Sequence, residues 1–390
     1  MNIKIAKMPE LRIGDLLAKI PIVQGGMGVG ISLSSLASAV GNVGGIGVIS
    51  TAGIGFDLPE YNKVPIQTSI KALKKEIEKA KEQTQGIIGV NIMVALSNFS
   101  DMVRTSIEAG ADIIFSGAGL PLDLPKYLTG DKKPKLVPII SSARAASIII
   151  KRWMNKYNYL PDGFVVEGPM AGGHLGFKRE QINDTKYSLE KIIPEVLREV
   201  SIFEEEYKRP IPVIAGGGIY TGEDIYKFIR LGAAGIQMGT RFVPTDECDA
   251  TLEFKEAFIN CKKEDIVIID SPVGLPGRAI KNSFIESAEK GMKHPFSCPY
   301  HCIKTCKVNT SMYCIAKVLL NAKEGNIDNG FVFAGQNAYR VKEIVSVKEL
   351  IESLNDEYNE AVHKAVSVES LRNDDNEFAE RVSFADIDLQ

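Results

Sequence analysis

The sequence predicts an α/β protein whose main body is a closed (β/α)8 TIM barrel with an appended C-terminal lid or subdomain. Its 390 residues fit one large barrel plus an appendage. Short runs rich in Val and Ile alternate with longer amphipathic stretches, which is the pattern of repeated βα units. The short runs are apolar throughout, as expected for parallel strands that are covered on both faces. Eight such units in about 240 residues favour a barrel over the alternative, an open doubly wound sheet.

The eight βα units follow one another from the amino-terminal region onward. The strand candidates are, in order, IPIVQGG (20–26), GIGVIST (45–51), GIIGVNIM (86–93), DIIFSGAG (112–119), KLVPIIS (135–141), GFVVEGP (163–169), IPVIAGGG (211–218) and GIQMGTRF (235–242). The helical patterns between them include SLSSLASAV, QTSIKALKKEIEKAKEQ, FSDMVRTSIEAG, ARAASIIIKRWM, LEKIIPEVLREVSIFEEEY and GEDIYKFIRLG. Functional residues of such barrels lie at the carboxyl ends of the strands. The polar and glycine residues that this sequence places there are Gln24, Asn91, Ser116, Ser141, Glu167, Gly217 and Gly239.

After the eighth strand the βα pattern gives way to loops, short helices and a row of cysteines. We therefore expect residues 1–260 to form the barrel and residues 261–340 a cysteine-containing lid or subdomain. Residues 341–390 then form a C-terminal helix and an acidic tail. The composition of the tail after about residue 366 is typical of a loosely attached segment.

The charge and composition of the chain indicate which kinds of partner it binds. The formal net charge of -3 disfavours nucleic acid and anionic membrane surfaces, because such partners require clustered Lys and Arg. The first residues lack the pattern of a secretory signal, and no apolar run is long enough to cross a membrane. We expect a cytoplasmic protein that acts on a small molecule, with a homo-oligomer left open. Six cysteines in this setting indicate reduced thiols, metal ligation or redox chemistry before structural disulfides.

Two glycine clusters follow the seventh and eighth strand candidates. These are AGGGIYTGED and QMGTRF, and the corresponding loops of (β/α)8 barrels commonly bind phosphate. The alternative is that the glycines only make a tight turn and a close packing contact. There is no GxxxxGK[ST] sequence, and GGMGVG near residue 26 lacks the GxGxxG spacing of a dinucleotide fold. The clusters favour the phosphate of a mononucleotide or sugar-phosphate cofactor.

A set of motifs in fixed order resembles the flavin-dependent nitronate monooxygenase family, formerly called 2-nitropropane dioxygenases. The motifs are PIVQGGMG, GGIGVIS, GVNIM, EGPMAGGHLG, IPVIAGGGI, QMGTRF and RAIKN, over roughly residues 18 to 350. Each is weak alone, and the set is specific. The same superfamily includes the flavin-type enoyl-acyl-carrier-protein reductases, which share nearly all of these motifs. The resemblance implies a barrel that binds FMN.

The resemblance also implies roles for individual residues. His174 matches the catalytic histidine of the family. The residues that match its FMN contacts are Gln24, Gly25, Gly26, Met27, Asn91, Glu167, Gly172, Gly173, Gly217, Gly218, Gln237, Met238, Gly239 and Thr240. Backbone N–H groups around Gly25 and Gly26 could stabilise negative charge on reduced flavin. One position departs from the family, because Met170 stands where relatives usually have Glu.

His174 carries the functional hypothesis, although an isolated histidine is more often structural. The imidazole is suited to proton transfer near neutrality, and a flavin enzyme has to manage one proton. With a nitroalkane, His174 would remove the α-proton before oxidation by FMN and O2. With an enoyl thioester, NAD(P)H would reduce FMN, and His174 would bind or protonate the substrate. A non-catalytic FMN-binding barrel and another (β/α)8 enzyme, such as an aldolase or isomerase, are further alternatives. An aldolase is disfavoured because no lysine lies at a strand end.

The cysteine row consists of Cys298, Cys302, Cys306 and Cys314, with spacing C-x3-C-x3-C-x7-C. The first three would share one face of a helix at this spacing. Neither the zinc CxxC pair nor the usual ferredoxin spacing is present. The row is compatible with a metal or iron–sulfur site, with reduced structural thiols, or with redox-active cysteines. Nearby His294 and His301 would allow a mixed Cys/His site.

Overall fold

The eight predicted strands close into a parallel barrel in the computed structural model, which describes residues 7–292, 295 and 297–385. The strands of the protein are β1 (Leu11–Ile13), β2 (Leu16–Ala18), β3 (Ile22–Gln24), β4 (Ile46–Ser50), β5 (Ile87–Met93), β6 (Ile113–Gly117), β7 (Lys135–Ile140), β8 (Phe164–Glu167), β9 (Gly173–His174), β10 (Val213–Gly216), β11 (Gly235–Met238), β12 (Ile266–Asp270), β13 (Pro276–Ile280) and β14 (Val332–Phe333). The α-helices are α1 (Ser34–Asn42), α2 (Pro65–Gln83), α3 (Phe99–Glu108), α4 (Ala143–Tyr157), α5 (Leu189–Tyr207), α6 (Gly222–Arg230), α7 (Leu252–Ile259), α8 (Ser283–Glu289), α9 (Ile315–Lys323) and α10 (Val347–Ala385).

The barrel runs β3, β4, β5, β6, β7, β8, β10 and β11, and β11 pairs with β3 to close the ring. Each of the eight predicted runs contains one of these strands, so the predicted barrel is confirmed. Its interior is packed with large apolar side chains, including Val48, Phe115 and Ile214. The β1–β2 hairpin adds Leu11 and Ile13 to the same cluster. The interior is therefore a solid core, and a ligand has to bind at one end.

The barrel helices begin and end where the sequence supplies caps. Pro65 occupies the first turn of α2, where its missing N–H costs no hydrogen bond. Ser142 caps α4, which ends at Asn158 in the left-handed region. Thr221 and Asp224 form a capping box at the start of α6. These local signals fix the helix ends, and with them the short loops at the carboxyl ends of the strands.

The C-terminal helix α10 takes the place of the eighth barrel helix. It packs between α6 and α1, and the Gly222 N–H donates to the Glu357 carboxylate at 2.7 Å. A Cβ at Gly222 would lie 2.2 Å from the Leu354 carbonyl oxygen, so the contact requires glycine. The sequence analysis treated this helix as a separate C-terminal part with a loose tail after about residue 366, whereas the helix continues to Ala385.

Residues 246–344, here called the insertion, separate strand β11 from helix α10. The two ends of the insertion meet, because Thr245 and Val345 form a parallel bridge. The lid predicted for residues 261–340 thus lies within this insertion, which leaves the barrel rim and returns to it at the same place. Its strands β12, β13 and β14 form a sheet, and β13 also pairs with β9 from the loop after β8. Through this pairing the insertion reaches His174.

The cysteine row does not lie on a helix. Cys298, Cys302 and Cys306 lie in an irregular segment between α8 and α9, and Cys314 directly precedes α9. The predicted helical face is therefore wrong. His294 lies outside the described residues. Within the described part of the chain, no helix combines the length and the apolar character needed to cross a bilayer.

Candidate active site

A cavity of about 920 Å³ opens at the carboxyl end of the barrel. This volume is at the upper end of the roughly 300–1,000 Å³ typical of ligand sites. Its wall combines strand ends of the barrel with residues 333–337 of the insertion. Of the other strand-end residues, Ser141 lines the cavity, whereas Ser116 is fully buried and does not. All the predicted catalytic and cofactor-binding residues line it except Gln24: Gly25, Gly26, Met27, Asn91, Glu167, Gly172, Gly173, His174, Gly217, Gly218, Gln237, Met238, Gly239 and Thr240.

Gln24 is fully buried beneath the cavity and does not reach it. Its amide nitrogen donates to the Gly25 carbonyl at 2.6 Å, and its amide oxygen accepts from the Val48 N–H at 2.9 Å. We therefore correct its predicted role from direct cofactor contact to support of the loop after β3. The Gly25 N–H is already hydrogen-bonded, because it donates to the Met238 carbonyl at 2.8 Å. Gly25 and Gly26 were both suggested to stabilise negative charge on the flavin, and the Gly25 N–H is thus already paired within the barrel.

Glycines after β3 and β10 lie where a side chain would not fit. Gly217 and Gly218 have φ values of 97° and 88°, which L side chains rarely adopt. A Cβ at Gly218 would lie 2.7 Å from the Met170 Cβ, and one at Gly26 would lie 2.3 Å from the Asn91 Cβ. Consecutive glycines of this kind expose backbone N–H groups to a bound anion. The geometry fits the phosphate cradle that the sequence predicts after β10 and β11.

The insertion covers the glycine loops from above. The Asn337 amide donates to the Gly218 carbonyl at 2.6 Å, and the Gly335 N–H donates to the Thr240 hydroxyl at 3.1 Å. The Gln336 N–H donates to the Met170 carbonyl at 3.0 Å. The barrel alone therefore does not enclose the cavity; residues 335–337 complete it.

His174 lies half-buried in the cavity wall and is held by the insertion. Its Nε2 is 2.7 Å from the Ser271 hydroxyl oxygen, and its ring packs edge-on against Phe333 at 4.9 Å between centroids. Its backbone pairs with Gly277 of β13. These three contacts fix the ring in position and orientation.

Burial shifts two titratable groups of the cavity in opposite directions. It lowers the pKa of His174 to about 4, so the imidazole is neutral at physiological pH. It raises the pKa of Glu167 to about 7, although part of this side chain borders the cavity, so a substantial share of the carboxyl is protonated near neutrality. A neutral imidazole can accept a proton, and a protonated carboxyl can donate a hydrogen bond to a ligand.

Arg278 is a site residue to which the sequence analysis gave no role. It is 2% exposed, and its guanidinium donates to the carbonyls of Pro169 at 2.7 Å and Ala171 at 2.5 Å. Its Nε has no hydrogen-bond partner among the described residues. Both hydrogen bonds come from one guanidinium nitrogen, and they tie the loop that precedes His174 to β13.

Ser271 and Phe333 were also missed by the sequence analysis. The RAIKN motif could have pointed to Arg278, but no local signal marks Ser271, which lies 97 residues from its histidine partner. All three residues come from the insertion. They hold the segment that carries His174.

Within the described residues, no three His, Cys, Asp or Glu side chains converge on a position for a metal ion. All six cysteines are free thiols. A site for a single metal ion at the cysteine row is therefore not formed.

Comparison with known proteins identifies the family that shares this sequence and fold. The family model for nitronate monooxygenase matches residues 11–357. A probable nitronate monooxygenase of Staphylococcus saprophyticus is 25% identical over 377 residues, which cover 90% of this chain and 98% of the relative. An indene-carboxyl-CoA dehydrogenase of Mycobacterium tuberculosis is 27% identical over 273 residues, which cover 70% of this chain and 66% of that protein.

Solved structures show the same fold. FabK from Thermotoga maritima superposes with a TM-score of 0.67 and 26% identity, over 89% of this chain and 95% of FabK. A nitroalkane oxidase from Streptomyces ansochromogenes has a TM-score of 0.69 at 20% identity, over 89% of this chain and 98% of the oxidase. With the family model spanning the barrel and the insertion together, the chain belongs to the nitronate monooxygenase family of FMN-dependent oxidoreductases.

Proposed function

We propose that this protein is a nitronate monooxygenase that oxidises alkyl nitronates with O2 and uses His174 to move the substrate proton. The observation that carries the proposal is a neutral imidazole, fixed by Ser271 and Phe333, in the wall of a cavity large enough for a flavin and a small substrate. The family supplies the cofactor class, and the residues supply the proton chemistry.

The cavity fits FMN on the evidence of its own residues. The turn at Gly217 and Gly218, facing Gly239 and Thr240, would hold the phosphate through backbone N–H groups. Asn91 and Glu167, deeper at the strand ends, would contact the ring and ribityl chain. When bound, FMN takes electrons from the substrate, which the side chains of this site cannot do.

His174 would act as the base toward a neutral nitroalkane. Its Nε2 is engaged by Ser271, so Nδ1 is the ring nitrogen that we assign to the substrate. The negative charge that forms on the nitro group lies close to the ring and favours the protonated imidazole, which offsets the low pKa set by burial. A substrate that arrives as the nitronate needs no deprotonation.

Met170 gives this cavity a different wall from that of typical relatives. Its side chain is 41% exposed and lines the cavity at a position where the sequence analysis expected the family to have Glu. No carboxylate contributes to the shift of the His174 pKa, which arises from burial alone. A thioether wall without charge favours an apolar alkyl group on the substrate.

The second candidate is an NAD(P)H-dependent enoyl-acyl-carrier-protein reductase. It is favoured by the 26% identity with FabK over 95% of that chain. In this reaction His174 would bind or protonate the thioester substrate. NAD(P)H would then be the reductant and an acyl carrier the partner.

One purified sample separates the two candidates. After the flavin content has been measured by absorption, the sample is divided between aerobic oxidation of a propyl nitronate and NAD(P)H-dependent reduction of a crotonyl thioester. We expect nitronate oxidation to be the faster reaction by at least about tenfold in kcat/KM, which corresponds to about 1.4 kcal/mol. Thioester reduction without nitronate oxidation would overturn the proposal in favour of the second candidate. A folded protein that binds no FMN would overturn both.

A further inference from the structure

Two arginines lie beside the glycine loops of the cavity and contact the same aromatic ring. Arg241 directly follows Thr240 after β11, and Arg340 belongs to the last part of the insertion, three residues after Asn337. The central guanidinium carbons of Arg241 and Arg340 lie 4.5 Å and 4.3 Å from the centroid of the Tyr220 ring. We call Arg241 and Arg340 the arginine pair.

The two guanidinium groups of the arginine pair lie close together without a carboxylate partner. Because both contact one ring, their central carbons are at most about 9 Å apart. Neither guanidinium forms an ion pair with a carboxylate of the described residues. Two cations at this distance repel each other, and an anion bound nearby would be attracted by both.

Two carboxylates near Tyr220 are bound to backbone N–H groups at the start of α6. The Asp224 carboxylate accepts from the Tyr220 N–H at 2.9 Å and from the Thr221 N–H at 3.0 Å. The Glu357 carboxylate accepts from the Gly222 N–H at 2.7 Å. Both carboxylates thus balance the positive end of the α6 dipole. They do not serve as direct partners of the arginine pair.

Tyr220 brings the arginine pair next to the cavity. Its side chain is 6% exposed and lines the cavity, whereas Arg241 and Arg340 lie outside the wall. Tyr220 is two residues beyond Gly218, whose carbonyl accepts from the Asn337 amide at 2.6 Å. The positive charge is therefore separated from the cavity by the Tyr220 ring, beside the glycine loops, and acts on the cavity through space.

The glycine loops offer hydrogen-bond donors but no formal charge. The N–H groups of Gly217, Gly218 and Ile219 donate to no backbone carbonyl of the described residues, so they are available to an anion. Among the described residues of the cavity wall, the only Lys or Arg is Lys186, on the loop before α5. A phosphate monoester carries a charge of about -1.5 to -2 at pH 7. A countercharge beside these loops would have to come from behind the wall.

We propose that the arginine pair supplies the positive charge that holds the FMN phosphate at the glycine loops. Backbone N–H groups would fix the position of the phosphate, and Arg241 and Arg340 would offset its charge from behind Tyr220. The inference rests on the FMN site of the proposed function but not on its nitronate chemistry, and its test reads flavin affinity and not turnover.

The test compares FMN with riboflavin, which has the same ring and ribityl chain but no phosphate. Both are titrated into the full chain after its flavin has been removed. We expect Arg241→Gln and Arg340→Gln each to raise the Kd for FMN about tenfold, and the double variant to raise it about 100-fold. The Kd for riboflavin should change less than about twofold in all three. Raising the ionic strength from about 0.05 M to about 0.5 M should weaken FMN binding to the wild type more than riboflavin binding.

Arg104→Gln is the matched control for loss of an arginine that contacts a tyrosine. The Arg104 guanidinium lies 5.4 Å from the centroid of the Tyr127 ring, and Tyr127 is not part of the cavity wall. Both flavins should bind this variant as they bind the wild type. Arg340→Lys keeps the charge and should bind FMN within about threefold of the wild type.

Equal weakening of FMN and riboflavin in a folded glutamine variant would show a structural role for the arginine and would overturn the proposal. Unchanged FMN affinity in the double variant would also overturn it. If the glutamine variants lose their native circular dichroism, the salt titration of the wild type decides. Equal effects of salt on the two flavins would then overturn the proposal. None of these results depends on whether the bound flavin oxidises a nitronate.

Discussion

The two sides of the cavity are built in different ways. The phosphate side comes from short loops after β10 and β11, where Gly217, Gly218 and Gly239 follow directly on barrel strands. The histidine side depends on the insertion, because Ser271, Arg278 and Phe333 hold His174 and the loop before it. The comparison teaches that barrel strands build the phosphate loops, which the insertion covers through Gly335 and Asn337, whereas the insertion itself holds His174. Damage to the insertion should therefore affect the histidine side more than the phosphate side.

Arg278→Ala should disrupt the contacts that hold the loop before His174, and it should cause the largest loss of stability among the variants proposed here. Two carbonyls in the loop before His174 lose their donor, and a buried side chain leaves a void, which together cost roughly 3 kcal/mol in the free energy of unfolding. FMN affinity should fall by less than about tenfold, because Arg278 reaches Gly217 only through Ala171. Chemical denaturation and flavin titration measure the two quantities.

Arg179→Ala is the control for the arginine. The Arg179 side chain also contacts the sheet of the insertion, because it forms an ion pair with Asp270 of β12 at 2.9 Å. This ion pair is exposed to solvent. The expected cost is below about 1 kcal/mol. Equal losses in the two variants would contradict the role given to Arg278.

Gly239→Val should damage the phosphate side alone. Gly239 has an ordinary φ of -113°, and the nearest atom to an added Cβ is the Met27 sulfur at 3.6 Å, so the protein alone has room for a side chain. The valine side chain would clash with the phosphate of bound FMN. The Kd for FMN should therefore rise about 100-fold, which corresponds to about 2.7 kcal/mol. Gly110→Val is the converse control, with a φ of 84° and nothing within 4 Å of its Cβ. It should lose stability through backbone strain and bind FMN normally, and the reverse pattern would contradict the phosphate placement.

Glu167→Gln should remove a pH dependence of FMN binding. The pKa of Glu167 is raised to about 7 by burial, and FMN would exclude further water and raise it more. FMN binding then takes up a proton above about pH 7, so the wild-type Kd should increase with pH by at most about tenfold per unit. The variant should lack this slope, whereas ionisation of the FMN phosphate affects both proteins alike. Identical slopes in flavin-fluorescence titrations would show that Glu167 does not titrate at the site.

The smallest expected effect is the pH dependence of nitroalkane turnover. The pKa of His174 is lowered to about 4, so the imidazole stays neutral as pH falls through 6.5, the ordinary value. The kcat/KM for a neutral nitroalkane should therefore change less than about twofold between pH 5.5 and pH 7, and decline only as pH approaches about 4. A decrease of kcat/KM toward low pH that is centred near pH 6.5 would contradict the lowered pKa and indicate a solvated histidine.

The barrel could be predicted from the sequence because its signals are local. Each of the eight apolar runs contains a strand, and the glycine loops follow strands directly, so strand order alone brings Gly217 and Gly239 to one rim. Gln24 was misjudged because a polar residue at a strand end was expected to face the ligand. Its amide oxygen instead accepts a hydrogen bond from Val48 on the neighbouring strand β4, which the local sequence does not reveal.

The histidine side could not be predicted in the same way. Ser271 and Arg278 reach the loop of His174 through an antiparallel pairing between β9 and β13, about 100 residues apart in sequence. Strand β9 has only two residues, too few to produce a periodic pattern. The role of α10 as eighth barrel helix was missed for a related reason, since the insertion separates it from the strand that it follows.

The most direct test of the account compares His174→Ala with the wild type on two forms of one substrate, a neutral nitroalkane and its preformed nitronate. His363→Ala, a histidine on α10 outside the cavity wall, is the matched control. We predict that His174→Ala keeps its FMN and loses about 10² to 10⁴-fold in kcat on the nitroalkane, with a far smaller loss on the nitronate. Equal losses on both forms would contradict proton transfer and make His174 a binding residue, and no loss on either would make it structural.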